Sequence, residues 1–243
     1  MALAATFSAS AQQKYTVSIK NNLKSALNDV PATLDLRELK DVKSATVIVD
    51  GKEIPYQIDD LDGNGTNDEL CFLVDLEGKQ TKTATITLSN KADGKLWKAR
   101  TFAEMVLRNP KVKEKNKHDI YLSSITIDKR TTNPYNVLHH HGVAFESGLI
   151  AMRIYMDKRQ TIDLYGKFHK GLELEQTQFY TSKEQKAKGY GDDVLWVGNT
   201  FGLGAFRGWN GTEPTLLEDV EHRTQRILTT GPLRTIVEVE DNQ

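Results

Sequence analysis

Asp163-Leu-Tyr165-Gly-Lys167-Phe-His169 places an acid, a phenol, an ammonium and an imidazole at every second position. Successive side chains of an extended strand alternate between faces, so these four share one face while Leu164 and Phe168 point to the other. Such a row makes a poor core and a good lining for a polar cleft. Its groups can remove a proton, return one and neutralise the charge that develops between the two steps. Arg153-Ile-Tyr155 alternates in the same way just upstream. A register that sets Arg153 and Tyr155 beside Asp163 and Tyr165 would add a guanidinium and a second phenol. The loop over 157–160 does not fix that register, and a slip of one residue reverses the face. The competing reading is the solvated face of an edge hairpin.

The run 139–169 also holds four of the six histidines, three of them consecutive. In a strand only His139 and His141 share a face. A zinc site would need a third ligand such as Glu146, His169 or His222. Acid–base use of one histidine, with the others packed in the sheet, is the favoured reading. Further along, Asp192 and Asp193 can accept hydrogen bonds from sugar hydroxyls, and Trp209 can stack on a sugar face. Trp196, inside Val194-Leu-Trp-Val, reads better as core. The glycines around 189–208 are followed by no strand-to-helix transition, so they do not form a nucleotide-binding fingerprint; they mark bulges or close approaches.

A second cluster lies near the N-terminus. Asp60-Leu-Asp62-Gly-Asn64-Gly-Thr-Asn-Asp68 sets oxygen ligands in the rhythm of a calcium loop. The twelfth position is Cys71 rather than glutamate, and the flanks read as strands, which argues against a helix–loop–helix site. A structural calcium held by Asp60, Asp62, Asn64 and Asp68, and a plain Asp/Asn/Gly turn, stand about level.

The elements that must carry these groups are strands. Short alternating segments recur from 15 to 88, and Asp50-Gly51 is a two-residue hairpin signal, so residues 14–90 read as a small antiparallel sandwich. Residues 91–100 read as a linker. Strands are then expected over 102–107, 120–127, 143–155, 161–168, 172–180, 194–197, 201–206 and 233–239. Helices are expected only over 182–188 and 216–226. The fold class is therefore all-β. A good strand stops almost at residue 243, which suggests a C-terminally truncated fragment.

The 243 residues carry a formal net charge of −1, with 38% hydrophobic and 27% charged residues, as in a globular protein. That balance gives no case for nucleic acid or an anionic membrane as partner. No segment is long and apolar enough for a transmembrane helix. Ala9-Ser-Ala11 fits a signal-peptidase pattern, so residues 1–13 read as a signal remnant or tail and the protein as secreted, periplasmic or cell-surface. The lone Cys71 sits in an apolar run and reads as a buried, inert thiol.

Several stretches together resemble the secreted domain of unknown function 4861 family: residues 55–75, His140-His-Gly-Val-Ala-Phe-Glu146, Arg153-Ile-Tyr155, Ile162-Asp-Leu-Tyr-Gly-Lys167 and 191–198. The resemblance runs from about residue 14 to the end. It implies export by bacteria that degrade complex polysaccharides, beside pectin- and uronate-processing enzymes. The closing 231–239 strand is similar to one of galactose-mutarotase-like folds, so residues 101–243 are expected to form part of a β-supersandwich. The family supplies no catalytic residues to carry over.

From side-chain chemistry, an acidic polysaccharide or oligosaccharide is the expected ligand, with lyase- or epimerase-like proton transfer. Tyr165 or His141 would be the base, His169 the acid, Arg153 and Lys167 the carboxylate and oxyanion partners, and Asp163 an orienting group. Tyr155 would complete the catalytic set. His139, Glu146, Asp192, Asp193 and Trp209 would contact substrate. No cofactor is required; a structural calcium in the 60–68 loop stands as an alternative to the plain turn. The alternative is a glycan-binding protein without turnover.

Overall fold

Alternation between apolar and polar residues becomes seven strands over the first ninety positions. They are β1 (Gln13–Lys20), β2 (Leu27–Asp35), β3 (Ser44–Val49), β4 (Lys52–Ile54), β5 (Tyr56–Asp59), β6 (Glu69–Leu76) and β7 (Thr81–Ser89). The computed structural model describes residues 13–39 and 41–242, so the signal-like stretch ending at Ala11 lies outside the described residues. Two antiparallel sheets form, ordered β1-β7-β3-β4 and β2-β6-β5. Val47, Leu70, Phe72, Ala84 and Ile86 are fully enclosed in the core of this first unit. Burial of apolar area on this scale is the main stabilising term, about 25 cal/mol per Å². Cys71 is buried as well, on the other face of β6. The β3–β4 turn has φ +52 at Asp50 and +74 at Gly51, as the expected two-residue hairpin requires. The stretch read as a linker is tied to this unit. Trp97 meets Tyr56 edge-on at 6.2 Å, and the Tyr56 hydroxyl donates to Asp93 at 3.0 Å.

The chain divides into two compact units, with the break between Lys98 and Ala99. The second begins with β8 (Thr101–Glu104), β9 (Ser124–Asp128), β10 (Gly142–Ser147), β11 (Ala151–Tyr155) and β12 (Ile162–Gly166). Two short helices follow, α1 (Leu174–Thr177) and α2 (Lys183–Ala187). Then come β13 (Asp192–Asp193), a small ribbon of β14 (Gly208–Trp209) and β15 (Pro214–Thr215), and the long pair β16 (His222–Thr230) and β17 (Thr235–Asn242). A five-stranded antiparallel sheet, β13-β12-β11-β10-β8, and a three-stranded one, β17-β16-β9, make up the unit with that ribbon. The protein is thus all-β in its architecture.

The five-stranded sheet has two different faces, and the difference follows from strand alternation. Val143 and Ile154 point to one side and pack with Met105, Leu138 and Met156 against Ile125, Ile127, Ile227, Val237 and Val239 of the smaller sheet. Ala144, Ala151 and Tyr165 point to the other side, where Leu174 and Phe179 cover them. Three expectations fail here. Residues 172–180 form α1 and a turn rather than a strand. The Glu146 carboxylate accepts the amides of Glu173 and Leu174, each at 2.9 Å, and Gln178 and Phe179 take left-handed φ values of +46 and +68. Residues 222–226, expected to be helical, form the start of the central strand β16. The Gln225 side chain there accepts from Val143 N at 2.7 Å and donates to Ile154 O at 3.0 Å. Residues 194–206 are irregular, with Gly198 and Gly202 at φ +52 and +57 breaking extended backbone. Ser182 does cap α2, with Gln185 completing a reciprocal capping box.

One buried ion pair anchors the covering segment to the sheet. Lys167 pairs with Glu146, both side chains almost wholly enclosed, and also donates to Ser147 O at 2.8 Å and Gly171 O at 2.6 Å. Removing one member of such a pair strands the other charge. Lys167→Met is therefore expected to destabilise the fold by about 3–5 kcal/mol in denaturant titration, and Lys167→Met with Glu146→Gln by clearly less. Equal losses for the single and double variants would contradict this role.

Candidate functional site

The strand register assembles a row across the second face of the five-stranded sheet: Glu104 opposite Ala144, Ala144 opposite Arg153, and Arg153 opposite Asp163. Arg153 is buried, so each of its N–H groups needs a partner. Its Nε donates to Asp163 Oδ2 at 2.9 Å, its Nη2 to Asp163 Oδ2 and to Asp193 Oδ2 (2.9 Å), and its Nη1 to the Tyr180 hydroxyl at 2.8 Å. Its guanidinium carbon lies 4.2 Å from the Phe179 ring centroid. Tyr155 donates to the same Asp163 oxygen at 2.9 Å. Burial pulls the Arg153 pKa down, but Tyr180, Tyr155 and Asp163 outweigh it and the guanidinium stays charged. Burial also pushes the Asp193 carboxyl up, against the pull of Arg153.

His141 stands beside this group in left-handed backbone, φ +65, at the end of the turn that follows Leu138. The next residue must be glycine: a Cβ on Gly142 would lie 1.6 Å from the Ile154 carbonyl oxygen. Ring stacking at 3.7 Å holds the His141 imidazole on Tyr135, and its Nδ1 lies 2.9 Å from the Tyr135 carbonyl. A carbonyl can only accept, which assigns the proton to Nδ1 and leaves a lone pair on Nε2. Burial, aided by Arg153 and opposed by the Tyr135 bond, lowers the His141 pKa to about 4. Tyr180 is shifted the other way. Burial raises its pKa, and its oxygen accepts from Arg153, so its own proton is free to donate.

These groups line a cavity of about 590 Å³. His141, Arg153, Tyr155, Asp163, Asp192 and Asp193 of the expected set are brought together there. Asp192 is paired with Lys186. Sequence reasoning did not single out Lys115, Tyr135, Arg159 and Tyr180, which line the same cavity, and it placed Trp196 in the core. Trp196 is instead 95% exposed at the cavity wall. Arg159 lies over the Tyr135 and Tyr155 rings at 4.8 and 5.0 Å and pairs with Asp157 at 2.6 Å. Lys115 lies 5.1 Å from the Tyr180 ring centroid and forms no ion pair among the described residues.

The other expected residues lie elsewhere. Tyr165 is fully buried, its hydroxyl donating to Glu173 at 2.8 Å, and burial raises its pKa further. Lys167 and Glu146 are consumed by each other and by backbone groups. His169 falls beyond the end of β12, so the alternation that would align it with Asp163 has stopped; it is exposed. His139 is buried and stacks on His118 at 3.9 Å. Trp209 is exposed on the β14–β15 ribbon.

In the first unit, carboxylate oxygens of Asp60, Asp62 and Asp68 gather within 4.8 Å of one another. That spread suits a hard cation with ligands at about 2.3–2.6 Å. Asp60 meanwhile accepts from the Gly63 and Gly65 amides at 2.9 and 2.7 Å. Asn64 is turned to Asp62 Oδ2 through its amide nitrogen at 2.8 Å. Among the described residues no other group of three such ligands converges, the triple histidine included.

Behind Arg153, Glu104 and His140 are both enclosed, with His140 Nε2 3.1 Å from Glu104 Oε1 but without hydrogen-bond alignment. Burial, with Glu175 adding, raises the Glu104 pKa to about 8 and burial lowers that of His140 to about 3, so both are uncharged at neutral pH. Between about 4.5, its usual value, and about 8 the folded protein holds a proton on Glu104 that the unfolded chain has lost. Stability from this group therefore falls as pH rises through that window. The histidines act oppositely: His139, His140 and His141 remain neutral where the unfolded chain is protonated, so their contribution is lost as pH falls from 6.5 towards 3–4. The stability of Glu104→Gln relative to the parent is expected to increase from pH 5 to pH 8 in denaturant titrations. A constant difference would contradict a protonated Glu104.

No helix among the described residues is long and apolar enough to cross a membrane. No curated protein matches the chain, and no solved structure does. The model of the domain of unknown function 4861 family matches residues 19–243, and the chain therefore belongs to that family.

Proposed function

We propose that the Arg153 cavity binds an acidic glycan and acts on it by proton transfer, as a lyase or epimerase. The observation that supports this is the pairing of His141 and Tyr180, with ring centroids 6.3 Å apart and environments that push their pKa values in opposite directions. Such separation assigns roles: the imidazole with a free Nε2 lone pair is the base, and the phenol with a free proton is the acid. In β-elimination His141 takes the proton from the carbon next to the carboxylate. The C–O bond to the leaving sugar breaks, and Tyr180 protonates that oxygen. Arg153 stabilises the resulting phenolate through its 2.8 Å bond. Lys115 is the cation left to meet the uronate carboxylate. A carboxylate bound nearby would raise the His141 pKa and strengthen it as a base. The aromatic walls, Tyr155 and Trp196, suit the apolar faces of sugar rings.

A specific observation favours the second reading, a glycan-binding protein without turnover: Asp163, Arg153 and Tyr155 largely satisfy one another. A panel of uronate polysaccharides separates the two, because elimination releases unsaturated products that absorb in the ultraviolet. The enzyme reading expects such products from a lyase, or uptake of solvent deuterium at the carbon that exchanges its proton from an epimerase, with a fall of about 10²–10⁴-fold in Tyr180→Phe and His141→Gln and binding kept within a few-fold. The free-enzyme rate should also fall as pH drops towards the His141 pKa of about 4. Binding with neither unsaturated product nor deuterium uptake from any member of the panel would leave the binder alone.

We also propose that the loop carrying Asp60, Asp62, Asn64 and Asp68 holds a structural calcium. Calcium in excess should raise the melting temperature and a chelator reverse it, through preferential binding to the folded state, with Asp60→Asn abolishing the response. An unchanged melting temperature under both treatments would show a plain turn.

A further inference from the structure

Tyr135 lines two cavities. One is the Arg153 cavity, and the other, of about 360 Å³, is built from the 127–135 stretch, Asp157, Lys158, Glu218, Val220 and Arg223. Asp157 and Lys158 face the second cavity and Arg159 the first, so Tyr135 and the 157–159 turn form a ridge between them. The Tyr135 hydroxyl has no hydrogen-bond partner among the described residues, and neither do the Thr131 and Thr132 hydroxyls. The ridge and the second cavity thus present unused donors and acceptors beside the apolar Ile127 and Val220.

The two cavities differ in charge. In the second, every cation already has a partner: Lys129 with Glu221 at 2.5 Å, Lys158 with Glu218 at 2.6 Å and Arg223 with Asp241 at 2.7 Å. Its acids are likewise matched, Asp128 by Arg130 at 2.7 Å and Asp157 by Arg159 at 2.6 Å. An anion entering there would have to break one of these pairs, whereas an uncharged polyol needs only the open hydroxyls and the apolar floor. The first cavity has Lys115 without an ion pair.

We infer that the second cavity is a subsite for a neutral sugar unit joined to the acidic unit in the first, so that the ligand crosses the Tyr135 ridge and carries both kinds of unit. This rests on the acidic-glycan reading. Its volume lies near the lower end of the range for small-molecule sites, about 300–1,000 Å³.

Calorimetry on the full chain tests this with four probes: digalacturonate, the two isomers of digalacturonate extended by one neutral hexose at one end or the other, and trigalacturonate. One hexose-extended isomer is expected to bind roughly tenfold tighter than the disaccharide, and trigalacturonate less than about threefold tighter. Thr132 is exposed, so Thr132→Trp can fill the cavity without disturbing the core. It should bring the extended probe down to the affinity of the disaccharide and leave the disaccharide unchanged. Equal affinity for the disaccharide and both extended isomers would overturn the subsite, as would a trigalacturonate gain equal to that of the hexose. A Thr132→Trp variant that weakens both lengths alike, or neither, would also overturn it. Absence of binding by all four probes would sink the acidic-glycan reading along with it.

Discussion

A buried guanidinium is the constraint on which the second unit depends. Arg153 sits in the middle of a sheet, where an unpaired charge would cost several kcal/mol. Its donors are met from three directions: Asp163 on the neighbouring strand, Asp193 on the edge strand and Tyr180 on the covering segment. These bonds hold the wall of the cavity in one geometry. The same arrangement that satisfies Arg153 leaves the Tyr180 proton free and brings Tyr155 onto Asp163. Structure and chemistry are therefore not separable here, because the acid of the proposed reaction is also a hydrogen-bond partner that the fold requires.

Around this centre the sheet uses its polar face in two ways. At one end, Glu146, Lys167, Tyr165 and Glu173 satisfy each other and the backbone of the covering segment, and close the face to solvent. At the other, where α1 and its turn no longer cover it, His141, Tyr155 and Asp193 open to a cavity. The division explains why polar residues that alternate along one face of the same strand end in different roles. Asp163 belongs to the cavity and Lys167 to the enclosed network, because cover ends between them.

Much of the fold was legible in the sequence, since period-2 alternation names the strands and Asp50-Gly51 the hairpin. The shared face of Asp163, Tyr165 and Lys167 was legible too, whereas the juxtaposition of Arg153 with Asp163 depends on a register that the 157–160 loop leaves open and that the β11–β12 pairing supplies. What alternation does not contain is the location of the cover. Tyr180 lay in a stretch whose Leu-Glu-Leu-Glu pattern reads as a strand, until the Glu146 carboxylate draws the amides of Glu173 and Leu174 into a turn. Trp196 reads as core, because Val194-Leu-Trp-Val is apolar on both faces, yet the glycines after it break the strand and leave the ring exposed. His141 carried no signal for its special backbone except the glycine that follows it.

The proposed site for the acidic glycan is the Arg153 cavity, with His141 as its neutral base. The most direct measurement is nitrogen NMR of histidine-labelled protein during titration with uronate oligosaccharides. His141 is expected to begin as the Nδ1–H tautomer at neutral pH and its Nε2 resonance to move on binding, while the exposed His169 and His222 stay unchanged. A His141 signal that ignores the ligand, or one that starts as imidazolium, would contradict it.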